Sequence, residues 1–185
     1  MAVALRTPRL LLREWRDDDV EAFAAMSADP AVMRYLTPFP HRAAVDDWIA
    51  TARAHWAAHG FGQWAVEIPG EASFIGAVGI SYVRFALPFA PAIEAAWRLA
   101  TPYWGRGYAY EAARAAIEDG FFRLGLPELV AYTVPVNRAS WRLMERLGMR
   151  RDPAEDFDFV HPRLPEGHLL RRHVLYRLRR PERRP

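Results

Sequence analysis

Residues 93–137, IEAAWRLATPYWGRGYAYEAARAAIEDGFFRLGLPELVAYTVPVN, constrain the fold more than any other segment. An apolar run, IEAAWRLA (93–100), leads into a turn holding Gly105 and Gly107. A helical stripe follows at once, with Ala109, Ala112, Ala113, Ala116, Ile117, Phe121 and Leu124 on one face. Gly125-Leu126-Pro127 stops the helix, and LVAYTVPVN (129–137) reads as a buried strand. A strand–helix–strand crossover runs right-handed and makes its two strands parallel. The chain is therefore of the α/β class, with one such unit at its centre.

The flanking segments are simpler. RLLLREW (9–15) has the look of a strand, and Asp17-Asp18-Asp19 reads as the cap of a helix carrying Val20, Phe23, Ala24 and Met26. Asp29-Pro30 starts a short turn that reaches Tyr35 and Leu36, and TPFPHR is a loop. In residues 43–59, Val45, Trp48, Ile49, Ala52 and Trp56 form a helical stripe that Gly60 ends. FGQWAVEI (61–68) and SFIGAVGISYVRF (73–85) form a hairpin across the turn PGEA. RASWRLMERLG (138–148) is a short helix, and two strands are expected around 156–160 and 170–178. With 185 residues and no repeat or linker, one domain spanning 1–185 is expected.

Composition excludes several chemistries. There is no cysteine, hence no disulfide, thiol nucleophile or zinc–thiolate site. None of the 25 basic residues is lysine, which removes Schiff-base catalysis and the P-loop lysine. His161, His168 and His173 lack zinc spacing, so no metal is expected. No apolar run is long enough to cross a bilayer, and MAVALRTPRLLLREW does not read as a signal peptide; a cytoplasmic location is the expectation. The formal charge is +3. Seven arginines follow Leu170. They read as a solvated tail; a nucleic-acid arm would carry interleaved aromatics, so nucleic acid is not an expected partner.

The glycine turn suits a phosphate. A helix N-terminus leaves about four N–H groups unpaired, and glycine lets phosphate oxygens approach them. Arg106 adds charge at the rim. A dinucleotide fingerprint fits poorly, because Gly107 is followed by Ala109 and Ala112. A Walker loop needs lysine. The pyrophosphate of coenzyme A is a third candidate, beside a plain tight turn before a helix.

Two further motifs narrow the choice. Tyr103–Ala112 reads YWGRGYAYEA, and downstream Asn137, Ser140 and Leu147-Gly148-Met149 recur in order. Together with TPRLLLREW, this pattern resembles the GNAT superfamily of acyl-CoA-dependent N-acetyltransferases, and within it the RimJ/RimL-type ribosomal-protein N-terminal acetyltransferases. Trp104 stands where the family's turn begins with a polar residue. The resemblance implies a mixed, mostly antiparallel splayed sheet of about seven strands with helices on both faces. Acetyl-CoA would lie between the strands at 93–100 and 129–136. Its pantetheine arm would pair with the backbone of Trp97, Arg98 and Leu99. The pyrophosphate would meet Gly105, Arg106, Gly107, Tyr108 and Ala109. Asn137 and Ser140 would also touch the cofactor.

The implied reaction is direct attack by a primary amine on the thioester, the amine being a small molecule or a protein N-terminus. A non-catalytic acyl-CoA-binding module is the alternative. Glu94 is the candidate base or a structural strand glutamate. A backbone N–H near Leu99 is the candidate oxyanion donor. Family members often place a tyrosine acid where Met144 stands, leaving Ser140 as the candidate acid or as helix-cap support. Asn137 is equally a helix cap. Glu155, Asp156 and Asp158 are secondary candidates for a base or a cation site. Tyr35, Phe39, Tyr82, Trp97 and Phe159 are candidates for lining an acceptor pocket, with His168 at its border. A homodimer is compatible with the resemblance.

Overall fold

The computed structural model describes residues 3–182. Its strands are β1 (Leu5–Arg6), β2 (Leu11–Arg13), β3 (Gln63–Ile68), β4 (Ala72–Tyr82), β5 (Ile93–Leu99), β6 (Glu128–Thr133), β7 (Arg150–Arg151), β8 (Phe157–Asp158) and β9 (Arg172–Arg179). Its helices are α1 (Asp19–Ala28), α2 (Pro30–Met33), α3 (Arg42–His59), α4 (Tyr108–Phe122) and α5 (Arg138–Arg146). Among the described residues the strands run β1-β2-β3-β4-β5-β6-β9-β7, with β8 on β9. The mixed, mostly antiparallel sheet is as expected, and the two strands beyond the expected seven are the two-residue β1 and β7. Among the described residues the one parallel pair is β5–β6, joined through α4 as the crossover requires.

Helices cover both faces. Ala112, Ala113 and Ala116 of α4 pack on Leu12, Trp64, Val66 and Val78. Phe23, Met26, Val45 and Ile49 of α1 and α3 pack on the alternate residues Ala65 and Ala77. Local chemistry sets the helix ends. Asp29 caps α2 through Ala31 N–H, with Pro30 at its first position. Gly60, at φ 71°, ends α3. The acidic triplet behaves differently from a simple cap. Asp18 makes no side-chain capping bond, whereas Asp19 is buried and binds Arg13 and the N–H of Arg16.

The arginine-rich end is not a solvated tail. Residues 172–179 form β9, seated between β6 and β7. Arg177 binds Glu155 and Glu128 at 2.7 Å each, and Arg179 also reaches Glu128. Arg183 and Arg184 lie outside the described residues. Among those described, no helix is long and apolar enough to cross a membrane.

Candidate active site

Only Glu94 and Val130 are in register between β5 and β6; beyond them the two strands part. The phase of the β4–β5 ladder fixes what faces the gap. Val83 N–H bonds to Ala92 O at one end and Ala100 N–H to Ile75 O at the other, both at 2.9 Å. An antiparallel ladder alternates, so even-numbered residues of β5 bond β4 and odd-numbered ones turn toward β6. Trp97 and Leu99 therefore direct backbone groups into the gap. Arg98 does not: its backbone belongs to the ladder opposite Ala77. The Leu99 carbonyl is taken by the Trp104 indole N–H at 2.7 Å, which accounts for the departure from the family's polar residue. The Leu99 N–H remains directed at the gap.

Beyond β5 comes the glycine turn. Gly105 and Gly107 lie at φ 71° and 82°, where a side chain is strained. Gly107 caps α4 without any side-chain bond, so no capping side chain occupies the first-turn N–H groups. Arg106 is exposed and near Glu71 at 3.9 Å. Tyr108 is buried and Ala109 packs beside it. The turn is held from outside. Thr7 Oγ1 and the Arg9 N–H bond Glu111 Oε1 at 2.6 and 2.9 Å, and Arg9 Nε bonds Oε2 at 2.7 Å. Arg9 also donates to the Arg106 carbonyl at 3.0 Å and covers the Tyr108 ring. Burial pushes the Glu111 carboxyl up, but the bonds from Thr7 and Arg9 outweigh it and hold the pKa down. Sequence reasoning missed this brace. Its only trace is that TPRL and the glutamate of YAYEA occur in one chain.

Glu94, Ala96 and Arg98 share the face covered by α1 and α3, while Ala95, Trp97 and Leu99 face α4. Burial pushes the Glu94 carboxyl up, against a hydrogen bond from Tyr132 and the charge of Arg84. A carboxyl raised by burial is a stronger base than an exposed one. Ser81 stands opposite Glu94 in register, and its buried Oγ lacks a hydrogen-bond partner. Tyr132 and Ser81 also escaped sequence reasoning, because neither carries a motif.

Across the gap, Asn137 caps α5. Its Oδ1 accepts from Ser140 N–H at 3.4 Å and its Nδ2 donates to Thr133 at 3.0 Å. Ser140 thus sits in the first turn of α5, partly buried. Met144 is in the core against Ala131, Met149 and Val174. The secondary acids are engaged by arginines: Glu155 by Arg177, Asp156 by Arg151 and Asp158 by Arg172. Of the aromatics, Phe39 lies near Arg98, whereas Trp97 faces the α4 side. Tyr82 clusters with His55 and His59, and Phe159 with Phe85 and His161. Tyr35 packs with the apolar group around Val130 and Phe157. His168 accepts from Leu170 N–H in its own loop.

Comparison with known proteins agrees with this geometry. A family model described as an acetyltransferase (GNAT) domain matches residues 9–150. Bacillus subtilis YkkB is 31% identical over 146 residues, covering 78% of this chain and 84% of its own. A crystal structure of an acetyltransferase from Agrobacterium tumefaciens superposes with a TM-score of 0.76 at 30% identity, covering 96% of this chain and 95% of its own. The ribosomal-protein-S5-alanine acetyltransferase of Vibrio fischeri shares the fold, with a TM-score of 0.74 at 18% identity over 99% of this chain and 100% of its own. A gap between parallel strands, a glycine turn opening a helix and a family match across most of the chain lead to one conclusion: this chain belongs to the GNAT family of acetyltransferases, which use acetyl-CoA.

Proposed function

We propose that this chain moves acetyl from acetyl-CoA to a primary amine by direct attack, with Glu94 as general base. The observation that carries the reading is the odd-numbered edge of β5, which faces the gap and ends at an uncapped glycine turn. The residues fit the cofactor. Trp97 and Leu99 offer backbone groups to an amide-containing arm, and an added Cβ at Gly105 would meet nothing within 4 Å, so phosphate oxygens have room there. Gly105 through Ala109 would hold the pyrophosphate, with Arg106 at the rim and Asn137 beside the arm. Bound there, acetyl-CoA supplies an activated thioester carbonyl.

The chain's own groups do the rest. Glu94 takes the proton from the acceptor nitrogen as the C–N bond forms and the C–S bond breaks. The Leu99 N–H stabilises charge on the carbonyl oxygen. The Ser140 hydroxyl donates to the departing sulfur. The acceptor class includes small amines and protein N-terminal α-amines, the latter suggested by the resemblance to the ribosomal-protein branch.

Thiol release with acetyl-CoA and an amine panel tests this. Glu94→Gln lowers kcat by about 10² to 10⁴ and leaves acetyl-CoA affinity unchanged by calorimetry. An unchanged kcat, or a lost affinity, sinks the assignment of Glu94. In the parent protein the rate rises with pH through the raised carboxyl pKa, and Glu94→Gln removes that limb.

A further inference from the structure

Arg98 is a cation with no anion beside it. It rises from the same face of β5 as Glu94, four residues along, about 13 Å away at the rise of a strand. Ala96 lies between them, opposite Gly79, so no long side chain separates the two. The guanidinium carbon is 5.6 Å from the ring centre of Phe23, 5.7 Å from Phe39 and 5.8 Å from Trp48. Nη1 is buried with no hydrogen-bond partner. Among the described residues no carboxylate or carbonyl accepts a hydrogen bond from the Arg98 guanidinium. Asp29, just beyond α1, is engaged by Thr101 and the Ala31 N–H. Burial alone pulls the Arg98 pKa down to about 10, with no acid holding it up.

The neighbouring charge has the same sign. Arg84, exposed after β4, lies 5.8 Å from the same Trp48 ring and acts on Glu94 by its charge. Two cations thus flank one indole on the sheet face that carries Glu94. Ring faces attract a cation more weakly than a carboxylate does, and they leave its N–H donors unmet. A guanidinium presents two parallel donors that match both oxygens of a carboxylate.

We propose that Arg98 binds a carboxylate carried by the acceptor, so the acceptor is an amino carboxylate with its amine at Glu94. This rests on the acetyltransferase reading and narrows its substrate class. A polyamine would meet two like charges on the same face.

The test measures acceptor-dependent CoA release for 5-aminopentanoate, 6-aminohexanoate and 8-aminooctanoate beside their primary amides. The C-terminally amidated dipeptides of Ala-Asp and Ala-Asn form the peptide arm, so that the Asp side chain is the single carboxylate distinguishing them, and spermidine is the polycation. The carboxylate members exceed their amides by about tenfold or more in kcat/KM. Arg98→Met raises KM for the carboxylate members about ten- to a hundredfold, leaves the amides within about twofold and keeps acetyl-CoA affinity by calorimetry. Arg98→Lys restores part of the preference. A preference in the amino acids or in Ala-Asp distinguishes a small acceptor from an acidic peptide end; either supports the assignment. Equal use of acids and amides, or turnover of amides and spermidine alone, overturns the carboxylate and leaves the acetyltransferase reading standing. No turnover across the panel, with acetyl-CoA bound, overturns both.

Discussion

Arg13 and Arg98 stand in one row of the sheet. The register runs Arg13, Ala65, Ala77, Arg98 across β2 to β5, so both guanidiniums rise from one face with two alanines between them. Arg13 is surrounded by acceptors. Asp19 takes Nη1 and Nη2 at 2.8 Å each, Glu67 takes Nε at 2.6 Å, and the carbonyls of Glu14 and Ser73 accept as well. Arg98 has three rings and a partnerless Nη1. Burial therefore does not tell a structural charge from a receptive one. The inventory of met and unmet donors does.

The largest effect is expected where the inventory is full. Asp19→Asn leaves Arg13 buried beside a neutral partner. Breaking a buried pair on one side costs about 3–5 kcal/mol. Urea unfolding reads this directly. A loss under about 1 kcal/mol would mean that Arg13 is no better held than Arg98, and the contrast fails.

The glycine turn sharpens the contrast next, because the donors it offers are backbone rather than side chain. Gly107→Ala places a Cβ at φ 82° and 3.3 Å from the Arg9 guanidinium. The strain costs about 1–2 kcal/mol. Gly70→Ala, at φ 79° with nothing near, carries similar backbone strain. Calorimetry separates them: only Gly107→Ala weakens acetyl-CoA. Equal weakening by both would show that the turn acts through stability alone.

A smaller effect comes from groups that avoid charge altogether. His55 Nδ1 donates to Phe61 O at 2.8 Å and its Nε2 accepts from Tyr82 N–H at 3.2 Å, a pair that requires the neutral ring. Burial first, then the charges of His59 and Arg84, lowers its pKa, outweighing the Phe61 carbonyl. Burial likewise lowers that of His173. The folded value lies below the unfolded one of about 6.5, so this stability is complete above pH ~6.5. It is lost as pH falls toward the folded values, at below about 1 kcal/mol per pH unit for each ring. Urea midpoints from pH 7.5 to 5 follow it, and His55→Gln flattens the curve. A profile that is already flat in the parent protein contradicts the neutral ring.

Some of this was legible in the chain and some was not. The crossover showed itself because alanines at helical spacing, two glycines and Gly-Leu-Pro are local signals. Glu94 was legible as a carboxylate in an apolar strand. The phase of β5 was not, since which edge a residue bonds depends on its partner strand. Arg98 was therefore expected to offer backbone groups to the gap, whereas its neighbours Trp97 and Leu99 direct theirs there. Its aromatic surroundings come from Phe23, Phe39 and Trp48, distant in sequence. The arginines of β9 read as solvated because the acids that pair Arg177, Glu128 and Glu155, lie outside that segment. Two-residue strands such as β1 and β7 carry no period to read.

The smallest expected effect on stability is the one that tests the comparison hardest. Arg98→Met keeps an unbranched stem and places a polarisable sulfur among the rings. It removes a desolvated cation, which favours the folded state, and it removes cation–π attraction worth about 0.5–2 kcal/mol, which opposes it. These offset, so the change in unfolding free energy stays within about 1 kcal/mol of zero. A charge that held the fold together cannot be removed at so little cost; a charge kept for a ligand can. If Arg98→Met instead loses as much stability as Asp19→Asn, then the rings alone satisfy Arg98, and the row holds two structural joints rather than one joint and one receptor.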